Sequence, residues 1–260
     1  MKIALNFWKK KYGKVWNLRI SQHLLEREGA ILEKDSIYLS HKFRIEEYSI
    51  LDFLLRNLSE QKEKIRIVDV SCGSGLVPFF IYMNRKRYSK IEYIGIDSSE
   101  SQLFIAKLRN PWTFVQFTPG NLYDTGLNDN YGDLALNWQT INHVGKIKEA
   151  IDELIRISGN WVYIINYVYY TKEDWIKKYS PKIYEKEYAK LCWSFNKDEI
   201  KQYIANKQCY QLWKKIEDQK FGSNFPTDTT SEQTLISKDK PIKFEWVDLS
   251  DDWKVNISEN

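Results

Sequence analysis

The feature that most constrains this chain is the stretch Val68-Asp69-Val70-Ser71-Cys72-Gly73-Ser74-Gly75. A short β-rich run, Ile65 to Val70, leads into a turn holding two glycines, and an apolar run at helical density, Leu76 to Met83, follows. Glycine in a strand-to-helix turn lets the backbone approach a ligand with no Cβ in the way. Pro78 falls in the first turn of the predicted helix, where its missing N–H is not needed. The next buried strand, Ile91 to Ile96, ends at Asp97, a carboxylate placed to accept hydrogen bonds from both hydroxyls of a ribose.

The same alternation runs through the middle of the chain. Ile45 to Leu58 reads as an amphipathic helix, with Tyr48, Leu51, Leu54, Leu55 and Leu58 on one face. Ser99 is a candidate cap for a helix through Leu108. Trp112 to Phe117, Asp133 to Asn137 and Trp161 to Ile165 read as strands, with a helix from Lys146 to Ile157 before the last of them. Strands alternating with helices predict βαβ units, and strands this continuously apolar predict a sheet covered on both faces. The fold class expected is therefore α/β, a Rossmann-like doubly wound, mostly parallel sheet with helices on both faces. Beyond Asn166 the rhythm changes to a Tyr- and Lys-rich stretch, then a helix Asp198 to Ala205 and late strands at Gln211 to Ile216 and Ile242 to Val247. This divides the chain into an N-terminal helical cap, 1–63, and a main domain, 64–260, carrying an aromatic-rich insertion at 167–196.

Composition narrows the function classes. A chain of 260 residues with 43% hydrophobic content supplies one large core. A net charge of +4 is too weak a bias to imply nucleic acid binding. Lys2, Lys9, Lys10, Lys11, Lys14 and Arg19 all precede the first acid, Glu26, and such a run is more often a solvated face than an anion site. Cys72, Cys192 and Cys209 are scattered and form neither a disulfide framework nor a zinc pattern. No apolar stretch is long enough to span a bilayer, and Lys9-Lys10-Lys11 interrupt the apolar opening. The expected setting is cytoplasmic and reducing.

Two adenosine-type ligands compete for the glycine turn. A dinucleotide site calls for a third glycine where this chain has Pro78, and Asp69 would set a negative charge beside the pyrophosphate. A ligand bearing a sulfonium and an ammonium, and no phosphate, removes that objection. A nicotinamide-dependent oxidoreductase is thereby disfavoured.

These residues resemble a known family. Asp69-Val-Ser-Cys-Gly-Ser-Gly75 is similar to motif I of the class I S-adenosylmethionine-dependent methyltransferases, written acid-x-Gly-x-Gly-x-Gly, with Ser71 in place of the first glycine. Tyr93-Ile-Gly-Ile-Asp97-Ser98-Ser99 resembles the second motif, whose acid holds the ribose. Pro119-Gly120-Asn121-Leu122 resembles the adenine-binding turn, with Asn121 where Asp is commoner. Asn can still offer its carbonyl oxygen to the adenine amino group. Gly132-Asp-Leu-Ala-Leu-Asn137-Trp138 resembles the fourth strand and its active-site edge. The matches fall in family order over roughly Ile65 to Asn166. The resemblance implies a seven-stranded sheet with S-adenosylmethionine across the carboxyl ends of its first strands. The implied cofactor-binding set is Asp69, Ser71, Cys72, Gly73, Gly75, Asp97, Ser98, Asn121, Leu122, Asn137 and Trp138.

Methyl transfer asks chiefly that acceptor and methyl carbon be held in line, and in some cases that the acceptor lose a proton. His143, in the segment after the fourth strand, is the candidate general base, with a helix-capping or packing role equally open. Trp138 fits either a cation–π wall for the sulfonium or the core. No metal constellation is found; Glu149, Asp152 and Glu153 fit an exposed helix face. Acceptor choice is expected in 1–63 and in 167–196, whose Tyr167, Tyr169, Tyr170, Trp175, Tyr179 and their neighbours would suit either a lid over a small-molecule or glycan-type acceptor or a core of their own. A nucleic acid acceptor is not favoured, since Asn137-Trp-Gln-Thr140 lacks the Asn-Pro-Pro-Tyr pattern of base amino-group methylation. The alternative to an enzyme is a binding or scaffold protein that retains the fold.

Overall fold

The computed structural model describes residues 42–138, 140–141, 144–168, 197–217 and 230–239. The elements in chain order are α1 (Lys42–Gln61), β1 (Lys64–Val70), α2 (Leu76–Asn84), β2 (Lys90–Asp97), α3 (Glu100–Arg109), β3 (Val115–Pro119) and β4 (Gly132–Trp138). They continue with α4 (Ile147–Ile157), β5 (Ser158–Val168), α5 (Lys197–Ala205), β6 (Tyr210–Glu217) and β7 (Thr230–Ser237). The seven strands form one sheet in the order β3-β2-β1-β4-β5-β7-β6. β1 pairs in parallel with both β2 and β4, β2 with β3, and β4 with β5, while β7 runs antiparallel between β5 and β6. The order reverses between β1 and β4, so the carboxyl ends of β1, β2 and β4 flank the crevice where a doubly wound sheet binds its ligand.

The side-chain period of two splits the core into two layers. Ile65 and Ile67 of β1 turn to one face with Tyr93, Leu134, Leu136 and Tyr163, and there α1 covers them with Tyr48, Leu51, Leu54, Leu55 and Leu58. Val68 and Val70 turn to the other face with Ile96, Ala135 and Val162, beneath Ile151, Leu154 and Ile157 of α4. The predicted helix Ile45 to Leu58 thus extends to Lys42–Gln61, and its apolar face closes the same core as the sheet. No helix among the described residues is long and apolar enough to cross a membrane.

Three elements differ from expectation. The third strand begins at Val115 rather than Trp112, because Val115 N donates to Trp112 O and closes a turn there. Trp112 instead stacks on Tyr82, with ring centroids 4.1 Å apart. β5 runs from Ser158 to Val168, longer at both ends than the predicted Trp161 to Ile165. β7 falls on Thr230–Ser237, a segment with no apolar alternation to announce it, whereas the expected strand Ile242 to Val247 lies outside the described residues.

Leu54 is fully buried in the layer between α1 and the sheet. Leu54→Ala is expected to cost about 2–5 kcal/mol through lost transfer energy and a residual cavity. A lowered urea midpoint at unchanged m-value is the readout.

Candidate active site

The turn after β1 is built from three left-handed residues. Ser71, Gly73 and Gly75 have φ of 68°, 55° and 74°. Ser71 N and Cys72 N both donate to Ile96 O, at 2.6 and 3.0 Å, which hangs the turn from the end of β2. Gly75 has no room for a side chain: a Cβ there would lie 2.5 Å from Asn110 Nδ2 and 3.0 Å from Phe117 Cζ. Asn110 Nδ2 donates to Gly75 O at 2.9 Å, and Arg109 donates to Ser74 Oγ at 2.9 Å, so the end of α3 clamps the turn from outside. Gly73 is the opposite case, since a Cβ there would meet nothing within 4 Å. Its surroundings are open space, as a backbone approached by a ligand requires.

Asp97 ties the turn to the next helix. Its Oδ2 accepts from Gly73 N and its Oδ1 from Ser99 N, both at 2.9 Å, and each oxygen retains a further lone pair. Burial pushes its carboxyl pKa up, against the backbone N–H groups of Ser99, Gly73 and Ser98 that pull it down. Ser99 caps α3 as expected, its side chain accepting from Gln102 N, and Ser98 beside it is exposed. Gly120 N donates to Asp97 O at 3.1 Å and brings the end of β3 to the same place.

Asp69 is buried on the α1 side of β1. Its Oδ2 accepts from Tyr93 Oη at 2.5 Å, and its Oδ1 is buried without a hydrogen-bond partner among the described residues. Burial raises its pKa to about 7; the Tyr93 hydroxyl pulls it down and the charge of Asp97 pushes it up. On β4, Asn137 Nδ2 donates to Val70 O at 2.9 Å, while Asn137 Oδ1 is likewise buried and unpartnered among the described residues. Neither Asp69 nor Asp97 has an ion-pair partner among the described residues.

The structure therefore brings Asp69, Ser71, Cys72, Gly73, Gly75, Asp97, Ser98 and Asn137 to one end of the sheet. Asn121 differs from expectation: its carbonyl oxygen accepts from Tyr123 N and Asp124 N, at 2.8 and 3.0 Å, in a turn of its own. Leu122 is buried in the core layer under α4, so only its backbone is available at the turn. Trp138 leans on Tyr48, centroids 4.9 Å apart, and meets Tyr163 edge-on at 6.4 Å, both on the α1 side. His143 lies outside the described residues, as does the aromatic stretch from 169 to 196. Tyr93, Arg109 and Asn110 escaped the sequence reading. A tyrosine inside a valine- and isoleucine-like strand does signal a buried hydroxyl needing a partner, but not which one. Among the described residues no cluster of His, Cys, Asp and Glu could hold a metal ion.

Comparison with known proteins decides the family. The profile of the methyltransferase domain family matches residues 40–210. The chain belongs to this family. It is a class I S-adenosylmethionine-dependent methyltransferase, with S-adenosylmethionine as methyl donor. Solved structures share the fold at low identity. The plantazolicin methyltransferase BamL, in complex with a triazolic desmethylPZN analog and SAH, is 16% identical, with 92% of this chain and 99% of that one covered at a TM-score of 0.56. The magnesium protoporphyrin IX methyltransferase of Synechocystis PCC 6803, with bound SAH, is 11% identical over 92% of this chain and 100% of that one, TM-score 0.57. A geranyl diphosphate methyltransferase in complex with GPP and sinefungin is 12% identical over 73% and 78%, TM-score 0.54. No curated protein matches the chain by sequence.

The two ends of the turn respond oppositely to substitution. A non-glycine residue in the left-handed region costs about 1–2 kcal/mol, of which glycine's looser unfolded chain returns about 0.5–1 kcal/mol. Ser71→Gly is expected to stabilise the protein by about 0.5–1 kcal/mol. Gly75→Ala, which combines left-handed strain with a clash, is expected to destabilise it by more than about 2 kcal/mol. Denaturant midpoints of the two variants against wild type check the pair.

Proposed function

We propose that this methyltransferase holds S-adenosylmethionine across the carboxyl ends of β1, β2 and β4 and transfers its methyl group to an oxygen or nitrogen of a small-molecule or glycan-type acceptor. The observation that carries the cofactor site is a set of acceptors with unused lone pairs at the carboxyl ends of β1, β2 and β4. Asp69 Oδ1 and Asn137 Oδ1 are buried and unpartnered among the described residues, and Asp97 keeps spare lone pairs beside an open Gly73. A buried acceptor without a donor costs roughly 1–3 kcal/mol, so such a group awaits a ligand that supplies one. The methyl donor carries an ammonium and two ribose hydroxyls, and its sulfonium and ammonium suit a buried and a half-buried carboxylate with no counter-ion among the described residues.

Within that reading the roles divide by chemistry. Asp97 takes the ribose hydroxyls and Asp69 the ammonium, while Asn137, on the opposite face of the sheet by strand alternation, offers its Oδ1 at the end of β4. The turn Ser71-Cys72-Gly73 offers backbone to the amino-acid end. Ser98, Asn121 and Leu122 line the nucleoside side; with its carbonyl engaged in its own turn, Asn121 has its amide N–H group to offer. Trp138 is assigned to the wall between core and site. Bound S-adenosylmethionine would supply a sulfonium methyl group, whose carbon forms its new bond to an acceptor lone pair as the bond to sulfur breaks and a neutral thioether leaves. The chain's share is to fix that line, and restricted geometry alone is worth several powers of ten in rate. His143 is the proposed base where the acceptor must lose a proton. We assign acceptor choice to 1–63 and 167–196, on the aromatic residues of the latter, and take the cytoplasm as the compartment on the scattered cysteines. The small-molecule class is also that of BamL's desmethylPZN analog and of geranyl diphosphate, each bound by a protein of the same fold.

Calorimetric titration of S-adenosylmethionine and its demethylated product into wild type and Asp97→Ala tests the site. Saturable binding by wild type is expected, weakened at least about 10-fold in the variant, the equivalent of one hydrogen bond to a charged acceptor. Folded wild type that binds neither compound would overturn the reading.

A further inference from the structure

The pairing of Asp69 with Tyr93 has no counterpart in the motif pattern, and its geometry is one-sided. Tyr93 is fully buried in the centre of β2, with its ring edge-on to Phe117 at a centroid distance of 6.0 Å. In the parallel register Tyr93 stands opposite Ile67, and Asp69 opposite Gly95, so the tyrosine reaches two residues along β1 to meet the carboxylate. The place a side chain at Gly95 would take is filled by the Phe117 ring and the Cys72 sulfur, 2.6 and 2.8 Å from where its Cβ would lie, so the pair is walled in by Phe117 and the turn. The hydroxyl binds one oxygen of Asp69 at 2.5 Å, and the other oxygen is left without a partner among the described residues. A phenol donor on one oxygen fixes the plane of a carboxylate and so fixes where its second oxygen points.

We propose that Tyr93 is a positioning residue for the methyl donor, holding Asp69 by one oxygen so that the other is presented to the donor's ammonium. The proposal rests on the cofactor site described above. It also assigns the protonation behaviour of the pair. The groups around Asp69 are Tyr93 and Asp97 of β2 and its end, the Cys72 thiol of the turn, and Tyr48 of α1 behind Tyr93. Burial pushes the Tyr93 hydroxyl well above its usual range, followed by the charge of Asp69, so it remains a donor throughout neutral pH. Asp69 is the member that titrates, near 7 without ligand. A cationic ligand favours the ionised carboxylate, so binding releases a proton below that pH. Affinity then rises with pH up to about 7 and levels off above it. Removing the hydroxyl removes the interaction that pulls Asp69 down, which moves the midpoint to higher pH.

The test is calorimetric titration of S-adenosylhomocysteine, whose ammonium is that of the donor, into the full chain from pH 5.5 to 8.5. Wild type, Tyr93→Phe, Asp69→Asn and the double variant are compared, with thermal melts to verify folding. Expected are an affinity that falls below about pH 7 in wild type, and a Tyr93→Phe variant about 10-fold weaker at pH 7 with its midpoint displaced upward, while Asp69→Asn lacks the Asp69 contribution to the pH profile. The double variant should bind no more weakly than Asp69→Asn, because the hydroxyl acts through that carboxylate. Wild-type affinity and pH profile in Tyr93→Phe would overturn the proposal and leave the cofactor site standing. An equal loss on adding Tyr93→Phe to Asp69→Asn would also overturn it, marking Tyr93 as packing alone. Should Tyr93→Phe not fold, wild type titrated in two buffers of different ionisation enthalpy decides: proton release at pH 6 supports the pair, and none overturns it. Absence of binding by wild type at every pH would overturn the cofactor site and this proposal together.

Discussion

The site depends on one carbonyl. Ile96 O, at the end of β2, accepts from both Ser71 N and Cys72 N and thereby sets where the turn after β1 leaves the sheet. Everything around it is arranged to keep that attachment. Asp97, the next residue, holds Gly73 N; Asn110 holds Gly75 O from α3; and Gly120 N returns to Asp97 O from the end of β3. Three neighbouring strand ends are thus joined by hydrogen bonds. A turn with three residues in the left-handed region has no regular ladder to hold it, so each of its backbone groups needs a particular partner. The neighbouring strand ends supply them.

That attachment is possible because β1 is central and buried on both sides. Parallel pairing with β2 and β4 fixes its register from either side, and a slip of one residue would carry Asp69 to the α4 face and Val68 to the α1 face. The apolar pressure of Ile65, Ile67, Val68 and Val70 against two separate helical layers forbids the slip. The loop between β3 and β4 is held by polar contacts instead. Thr125 donates through both its N–H and its hydroxyl to Glu153 Oε1 on α4, at 2.8 and 2.6 Å. Glu153, which the sequence pattern assigned to an exposed helix face, is in fact buried, and Arg156 on the next turn pairs with it.

The sequence was most readable where one rule governed. The βαβ alternation, the glycine turn and Asp97 follow from periodicity and from backbone conformation, and each recurs in the structure within a few residues of its expected bounds. Legibility failed where polar groups are satisfied across long separations. β7 sits between two strands with Gln233, Thr234 and Ser237 buried, and Tyr163 donates to Gln233 Oε1 at 2.6 Å across 70 positions of chain. Such a strand carries no apolar period to detect. The carbonyl of Asn121 was illegible for a subtler reason: the side chain can serve a ligand or its own backbone, and here the local turn engages its oxygen. Ser71 shows the limit of motif matching in the other direction. The pattern has glycine there, and the chain keeps the left-handed conformation with serine, held by its N–H to Ile96.

The electrostatics of the site give the choice of ligand a physical basis independent of the motifs. Burial raises both carboxyls, Asp69 and Asp97, and the charge of Asp97 raises Asp69 further. Without a ligand the protein bears this as a destabilising arrangement: a carboxyl that holds its proton more tightly when folded loses stability as pH rises from the ordinary carboxylate range toward its folded value. A phosphate-bearing cofactor would add negative charge to the same spot and compound the cost. A cation with hydroxyl donors reverses every sign. In the site proposed above it offsets the charge of Asp97 felt by Asp69 and supplies a donor to the orphaned oxygen of Asp69, so that a stability deficit of the free protein becomes affinity for the ligand.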